Sequence, residues 1–161
     1  MRRSSPLPSI ILAVLLTAGA GLPGFEPLAS SQNKAINLYS ITELKAGDNG
    51  HFVTRASINN SKITVLIDTG ASAVALGYED AEKVGLKPRT LEFDVRVNTA
   101  NGEGRAARVM LREVSVGSIR VRNVEGLVLQ KGALSGTLLG MSFLGRLKNF
   151  EIKDGTLTLQ N

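Results

Sequence analysis

The sequence predicts a mainly β domain with one or two short helices. From Gly50 onward, runs rich in Val, Ile and Thr alternate with turn residues, and such runs favour strands. Seventeen of the 161 residues are glycine, which suits tight turns between short strands. The chain has five Phe, two Tyr and no Trp, so the core must consist of Val, Ile and Leu. At this length we expect one domain, or one domain and a tail.

The first 22 residues have the layout of a targeting segment. Two arginines near the start precede an apolar run at 10–16 and small residues at Ala18 and Ala20, which is typical of a secretory signal peptide. Counted from 7 to 22, the run approaches the roughly 20 apolar residues of a membrane-spanning helix. Residues 1–22 are therefore expected to be a signal peptide or an N-terminal membrane anchor, and the rest of the chain to be exported.

Residues 23–49 are expected to form a linker. The stretch is rich in Pro, Gly, Ser and Asn and has no sustained hydrophobic period, apart from one short strand expected at 36–39. The folded domain is expected to span 50–161. It contains no visible internal repeat.

Hairpins dominate the predicted domain. Asn59, Asn60 and Ser61 form the first turn, since Asn tolerates the left-handed backbone of tight hairpins. A helix at 79–84 is closed by Gly85, because glycine commonly ends helices. The predicted strands lie at 51–58, 62–67, 73–76, 92–98, 106–111 and 124–129, with a tight hairpin at 114–121, a short helix ending at 147, and a last hairpin of 150–152 and 156–159.

Asp68 ends the most apolar of these strands. Residues 63–67 are apolar or β-branched and lead directly into Asp68, Thr69 and Gly70. Asp-Thr-Gly alone is ordinary turn chemistry, because Asp and Thr bond nearby backbone and Gly adopts positive φ. A surface turn rarely follows five such residues, however, and a strand buried on both faces would deliver the carboxylate to the floor of a cleft. A carboxylate there is costly unless it is hydrogen-bonded, paired or used in chemistry.

Three features in one order resemble a known family. Residues 66–72, Leu-Ile-Asp-Thr-Gly-Ala-Ser, are followed by a Gly-rich hairpin tip at 99–104 and by the turn Leu138-Leu139-Gly140 before a helix. This order resembles the retropepsin-like (clan AA) aspartic peptidases, more narrowly their bacterial exported or membrane-anchored members, over about 50–160. The resemblance implies a closed β-barrel that is active as a two-fold homodimer on peptide or protein substrates. It also implies a periplasmic protein, soluble or anchored to the inner membrane by its N-terminal segment.

The resemblance also implies roles for individual residues. Asp68 would be the catalytic carboxylate, Thr69 would hold the partner chain's loop across the dimer axis, and Gly70 would allow the close approach of chains and substrate. The second hairpin tip would be a flap over the substrate, and the 138–140 turn would pack beneath the catalytic loop. The implied catalytic residues are Asp68, Thr69 and Gly70, and the implied substrate-binding residues are Ala71, Ser72, Ala100, Asn101 and Gly102.

Acid proteolysis by this route independently requires a second carboxylate. One carboxylate acts as a base toward water while the other donates a proton to the peptide carbonyl. Asp68 is alone in its sequence context, since no other aspartate is followed by Thr-Gly: Asp48, Asp80, Asp94 and Asp154 are expected in turn, helix or exposed positions. The second carboxylate is therefore expected from another copy of Asp68, and a monomer would be inactive.

Other kinds of site have less support. The chain has no Cys and one His, His51, which excludes disulfides, thiolate nucleophiles and multi-histidine metal centres, so neither metal nor cofactor is expected. Ser72 lacks a nearby base that would activate it as a nucleophile. Glu79, Asp80 and Glu82 are interpreted as the acidic first turn of a helix rather than a cation site. Gly102-Glu103-Gly104 joins two strands and so does not fit a phosphate-binding loop.

Two non-enzymatic alternatives stay open. The first is a β-barrel module of the same fold that binds peptide or an envelope partner without catalysis, with Asp68 as a structural turn residue. The second is a lipid- or anion-binding surface built on arginines. The arginines concerned alternate with apolar residues, as on a solvated sheet face, and no nucleic-acid partner is expected. They are Arg105, Arg108, Arg112, Arg120 and Arg122.

Overall fold

The computed structural model describes residues 39–99 and 102–161. No helix in these two stretches is long and apolar enough to cross a bilayer. The strands are β1 Ile41–Lys45, β2 Val53–Ile58, β3 Ser61–Ile67, β4 Val74–Leu76, β5 Val95–Thr99, β6 Gly102–Val116, β7 Ile119–Leu129, β8 Thr137–Leu139, β9 Asn149–Lys153 and β10 Thr156–Gln160. The helices are α1 Tyr78–Lys83 and α2 Met141–Leu144, and Pro88–Thr90 form a single 3-10 turn.

Six of the strands close into a barrel. Their order is β2-β3-β8-β4-β7-β6, and β6 returns to pair with β2, so the sheet has no free end in this part. β5 extends the sheet beyond β6. Closure relies on tight hairpins, and the turn between β2 and β3 places both Asn59 and Asn60 at positive φ, as a two-residue hairpin requires. The predicted mainly β, closed-barrel fold with two short helices is confirmed.

The barrel interior is filled with aliphatic side chains. Ile58, Leu76 and Leu111 are completely buried, and Phe143 of α2 is the largest side chain among the fully buried residues. These four side chains come from β2, β4, β6 and α2 and belong to one hydrophobic core, which packs α2 against the barrel. Burial of a side chain of this size contributes about 1.5–3 kcal/mol.

A second sheet brings together strands that are distant in the sequence. Its order is β1-β10-β9, with Leu44 opposite Leu157 and Leu157 opposite Ile152. The linker predicted at 23–49 is therefore wrong in its last part, because β1 is a folded strand. The cause is that β1 has its hydrogen-bonding partner at the other end of the chain, which local patterning cannot show. The signal or anchor segment, most of the linker and the strand expected at 36–39 lie largely or wholly outside the described residues.

The arginines of β6 and β7 lie on the outer face of the barrel. All five are exposed, as expected of a solvated sheet face. Arg108 pairs with Glu125 at 2.7 Å, while Arg120 and Arg122 both approach Glu113. Ion pairs this exposed are worth roughly 0–1 kcal/mol each, so they add little to the stability of the folded protein.

Candidate active site

Strand β3 delivers Asp68 to the site. β3 lies parallel to β8, with Leu66 opposite Leu138 and Ile67 opposite Leu139. The ladder continues one residue further, since the Asp68 amide donates to the Leu139 carbonyl at 3.2 Å. Asp68 is therefore held by its backbone amide at the point where β3 ends.

The loop after Asp68 orients the carboxylate. The Gly70 amide donates to Asp68 Oδ1 at 2.8 Å, and the Ala71 amide donates to the Asp68 carbonyl at 3.3 Å. This is an Asx turn, in which the side chain replaces a backbone acceptor. Asp68 is half-buried, whereas Thr69 and Gly70 are exposed. One carboxylate oxygen is thus occupied by the loop, and Oδ2 has no protein partner among the described residues.

Gly140 supports the loop from beneath. A Cβ at Gly140 would lie 2.5 Å from the Ala71 carbonyl oxygen and closer still to that of Ala73. The next residue, Met141, donates its amide to Ala71 O at 2.8 Å. Backbone packing this close is possible only without a side chain, which explains the glycine of the Leu-Leu-Gly turn.

The other two residues of this turn have separate roles. Leu139 is completely buried under the loop. Leu138 is only partly buried and lines the cavity that contains Asp68. The expectation that all three residues pack beneath the loop therefore holds for Leu139 and Gly140, and Leu138 faces the cavity instead.

Ser142 ties three elements together and was missed from the sequence. Its Oγ accepts the Val74 amide at 2.9 Å and donates to the Glu125 carbonyl at 2.7 Å. The hydroxyl of Ser142 in α2 therefore links β7 to β4, the strand that follows the Asp68 loop. A single serine at the start of a short helix gives no signal from which this role could be predicted.

Asp68 opens on a cavity of about 300 Å³. Among the described residues lining it, Asp68 is the only one with an ionisable side chain. The lining is otherwise apolar or small and polar, and it combines the loop after Asp68 with β5 and the loop between β7 and β8. The lining residues are Asp68, Gly70, Ala71, Ser72, Ala75, Val97, Asn98, Thr99, Leu129, Ala133, Leu134 and Leu138.

Some of the site residues predicted from the sequence line this cavity. Of those residues, Asp68, Gly70, Ala71 and Ser72 line it, whereas Thr69 is exposed beside it. Gly102 begins β6 opposite Thr99 and is exposed. Ala100 and Asn101 lie outside the described residues.

The sequence did not indicate the opposite wall of the cavity. Val97, Asn98 and Thr99 lie on the strand that leads to the predicted flap, and Ala133 and Leu134 lie in an irregular loop. The alternation of β5 predicted a strand but not which face would meet Asp68. The loop residues have no periodicity at all, so only the folded chain shows that they belong to the site.

A second carboxylate is buried away from this cavity. Asp80 of α1 is 8% exposed, accepts Thr137 Oγ1 at 2.9 Å through Oδ2, and accepts Lys83 Nζ at 2.8 Å through Oδ1. The hydrogen bond and charge of Asp80 raise the pKa of Lys83 above its ordinary value of 10.5. Asp80 lies in the acidic first turn of α1, as predicted, and its buried carboxylate also joins α1 to β8. No cluster of metal-ligating side chains occurs in residues 39–99 and 102–161.

Residues 54–146 match the model of a protein family described as gag-polyprotein putative aspartyl protease. The matched stretch includes the Asp68 loop, β5 and β6, and the Leu138–Gly140 turn. It ends after α2, so every element that lines the cavity lies within it.

Two relatives and one solved structure are among the proteins similar to this chain. A Sinorhizobium protein, described as an uncharacterised protein in the cobV 5′ region, is 50% identical over 113 residues, which are 70% of this chain and 48% of that protein. The uncharacterised protein RP867 of Rickettsia prowazekii is 44% identical over 115 residues, 71% of this chain and 48% of that protein. The chain thus spans about half the length of both relatives.

The third is a solved structure. The crystal structure of a retropepsin-like aspartic protease from Rickettsia conorii aligns with a TM-score of 0.68 and 38% identity, covering 76% of this chain and 91% of that one. The likeness therefore extends over most of the described barrel.

Proposed function

The chain belongs to the gag-polyprotein putative aspartyl protease family and has its retropepsin-like fold, and we propose that it is an aspartic endopeptidase whose active site forms between two copies. One observation carries the proposal. Asp68 is held by backbone bonds at the wall of a cavity, and it is the only ionisable side chain among the described residues that line this cavity. A turn residue with a purely structural role needs no such cavity.

The reaction requires two carboxylates and one water. Two carboxylates about 3 Å apart share a single proton, because both cannot ionise at once. The ionised Asp68 takes a proton from a water whose oxygen attacks the peptide carbonyl carbon, while the protonated Asp68 of the second copy donates to the carbonyl oxygen. The resulting tetrahedral intermediate breaks its C–N bond as the nitrogen is protonated, which yields a carboxylic acid and an amine and restores the shared proton.

The second carboxylate has to come from another copy of the chain. In the part of the chain that the structure describes, no other acidic side chain lines the cavity, and Asp80 is engaged with Thr137 and Lys83. Oδ2 of Asp68 has no partner among the described residues and Thr69 is exposed, so both are available to the loop of a second copy. We therefore propose a two-fold homodimer with paired Asp68 residues, without metal or organic cofactor.

The cavity indicates how a peptide would bind. The edge of the site is formed by β5, and an extended peptide can add to such a strand through backbone hydrogen bonds. Uncharged walls at Val97 and Leu134 suit apolar or small peptide side chains next to the scissile bond. Ala100, Asn101 and Gly102 are proposed to close over the peptide as the tip of the β5–β6 hairpin.

The test is cleavage of a peptide library by the full chain across pH 3 to 8. Asp68→Asn is compared with Asp94→Asn, a matched control because Asp94 is exposed and lines none of the cavities described here. We expect cleavage by the wild type and the control, none by Asp68→Asn, and a bell-shaped pH dependence because only the singly protonated pair is competent.

Protein concentration tests the dimer. Activity is expected to rise faster than linearly with concentration, and added Asp68→Asn protein should inhibit the wild type by forming mixed dimers. A well-folded dimer that cleaves nothing would favour the non-catalytic binding module. Cleavage that survives in Asp68→Asn would refute the assignment of Asp68 altogether.

Export is proposed on the sequence of residues 1–22 alone. The protein is expected in the periplasm, either soluble or retained at the inner membrane by this segment. Fractionation of cells that express the full chain, with the amino terminus of the purified protein sequenced, distinguishes a cleaved signal peptide from a retained anchor. Recovery in the cytoplasmic fraction would contradict export.

A further inference from the structure

A second and larger concavity lies on the outside of the barrel. Its volume is about 760 Å³, and it lies beside β3, with α1 and the segment 135–138 completing its wall. It does not include Asp68, although Leu138 lines both this groove and the catalytic cavity. The residues lining it are Val53, Arg55, Lys62, Ile63, Thr64, Val65, Leu66, Glu79, Asp80, Lys83, Ser135, Gly136, Thr137 and Leu138.

One wall of this groove is an open strand edge. β3 pairs with β2 along its whole length, but on its other side β8 covers only Leu66 and Ile67. The barrel is therefore incompletely hydrogen-bonded along the first part of β3. In residues 39–99 and 102–161, no loop, helix or side chain bonds to the backbone of Lys62 or Thr64.

The direction of the backbone groups follows from their alternation. The Ile67 amide donates toward β2, to Phe52, and the Asp68 amide donates toward β8, to Leu139. Since successive residues of a strand point their amides to opposite sides, Lys62 and Thr64 present N–H and C=O toward the groove. Unpaired edges of this kind bind an added strand through main-chain hydrogen bonds.

The charge of the groove indicates what kind of strand fits. Arg55 and Lys62 are exposed, and neither forms an ion pair with a described residue. Lys83 and Asp80 neutralise each other, which leaves Glu79 as the one unpaired acid of the lining. Arg55 lies opposite Thr64 on the neighbouring strand and, like Lys62, lines the groove.

We propose that this groove binds an extended, acidic segment of a partner protein. The segment adds to the open edge at Lys62 and Thr64, and its carboxylates pair with Arg55 and Lys62. At about 760 Å³ the groove is large enough for several residues of extended chain. The inference is separate from the proposed catalysis, because Asp68 takes no part in it.

The test measures binding to the full chain carrying Asp68→Asn, so that the probe is not cleaved. The probe is a fluorescein-labelled peptide that alternates Glu and Val, followed by fluorescence anisotropy. Comparison peptides replace Glu with Lys, or carry N-methyl groups on alternate amides so that strand pairing is lost. Lys62→Glu is compared with Lys153→Glu, which makes the same charge change on an exposed residue of β9, outside the groove.

We expect the acidic probe to bind at micromolar concentration and Lys62→Glu to weaken it by about tenfold or more. Lys153→Glu should leave binding within about twofold, and N-methylation should abolish it. An equal loss in both variants would show general attraction to a basic protein and would overturn the proposal. So would undiminished binding of the N-methylated peptide, or no binding of the acidic probe to a folded chain. Because the readout is binding, a protein that fails to cleave peptides can still pass this test.

Discussion

Gly140→Ala is the substitution that most directly tests how the loop after Asp68 is supported. Gly140 has φ −97° and ψ −165°, a backbone conformation that alanine also adopts, so the effect of the change is purely steric. The new Cβ would lie 2.5 Å from Ala71 O, nearer to Ala73 O, and 2.9 Å from Ala71 Cβ. Two of these atoms are backbone carbonyl oxygens, which cannot rotate away as a side chain would.

The magnitude follows from that geometry. Overpacking of a buried site costs typically about 1–3 kcal/mol, and rigid backbone neighbours place Gly140→Ala at the upper end, about 3 kcal/mol. The melting temperature should then fall by roughly 10 °C. If the proposed peptidase function holds, kcat should fall by about a hundredfold, because a displacement of about 1 Å at Ala71 carries Asp68 with it.

Differential scanning calorimetry and urea unfolding measure the loss of stability. Gly47→Ala is the matched control, since its Cβ would have no neighbour closer than Asn49 Oδ1 at 3.5 Å. The control is expected within about 0.5 kcal/mol of the wild type. A Gly140→Ala protein as stable as Gly47→Ala would show that the loop is not packed as described, and the argument for Gly140 would fail.

Three further outcomes are expected. Thr137→Val removes the donor to Asp80 Oδ2 inside the protein and should cost about 1–3 kcal/mol by urea unfolding, since a buried carboxylate oxygen is left unsatisfied. Lys83→Met should unfold at lower urea than the wild type at pH 7. The pKa of Lys83 is raised in the folded state, so the ion pair stabilises the protein fully at pH values below 10.5, the ordinary pKa of lysine. This stabilisation is lost as the pH rises through the raised pKa of Lys83. The stabilities of the two proteins should therefore converge at high pH. Ser142→Ala deprives the buried Val74 amide of its acceptor and should also cost about 1–3 kcal/mol.

Each of these outcomes has a contradicting result. Thr158→Val, on the outer face of β10, is a control for Thr137→Val, and equal stabilities of the two would mean that the Asp80 contact contributes nothing. A constant difference between Lys83→Met and the wild type from neutral to high pH would exclude the ion pair as its cause. For Ser142→Ala, hydrogen exchange at Val74 unchanged from the wild type would show that the serine is not the acceptor that matters.

The sequence predicted the site where its signals were local. Asp68, Thr69 and Gly70 directly follow a run of apolar and β-branched residues, whereas the role of Leu138–Gly140 was implied only by the family resemblance. The turn at Asn59 and Asn60 was equally local, because both residues tolerate positive φ. Motifs of this kind carry their geometry in adjacent residues.

The parts that were not predicted depend on distant contacts. β1 has little periodicity of its own and is a strand only because β10 lies beside it. Asp80 matched the pattern of a helical first turn, and its burial follows from Thr137, which comes much later in the chain. The cavity wall at Val97 and Leu134 likewise joins segments whose proximity no local pattern records.

The order of synthesis determines when the small sheet of β1, β10 and β9 can form. Ser40 and Asn161 exchange two backbone hydrogen bonds, and Leu44 of β1 has its partner in Leu157. During translation β1 emerges from the ribosome long before β10 is synthesised. Until then, the edge of β1 that pairs with β10 is unpaired and partly apolar. Non-local pairing of this kind slows folding and leaves such edges open to association with other chains. β10 therefore completes the pairing of β1, and a nascent chain that lacks β10 has no complete second sheet.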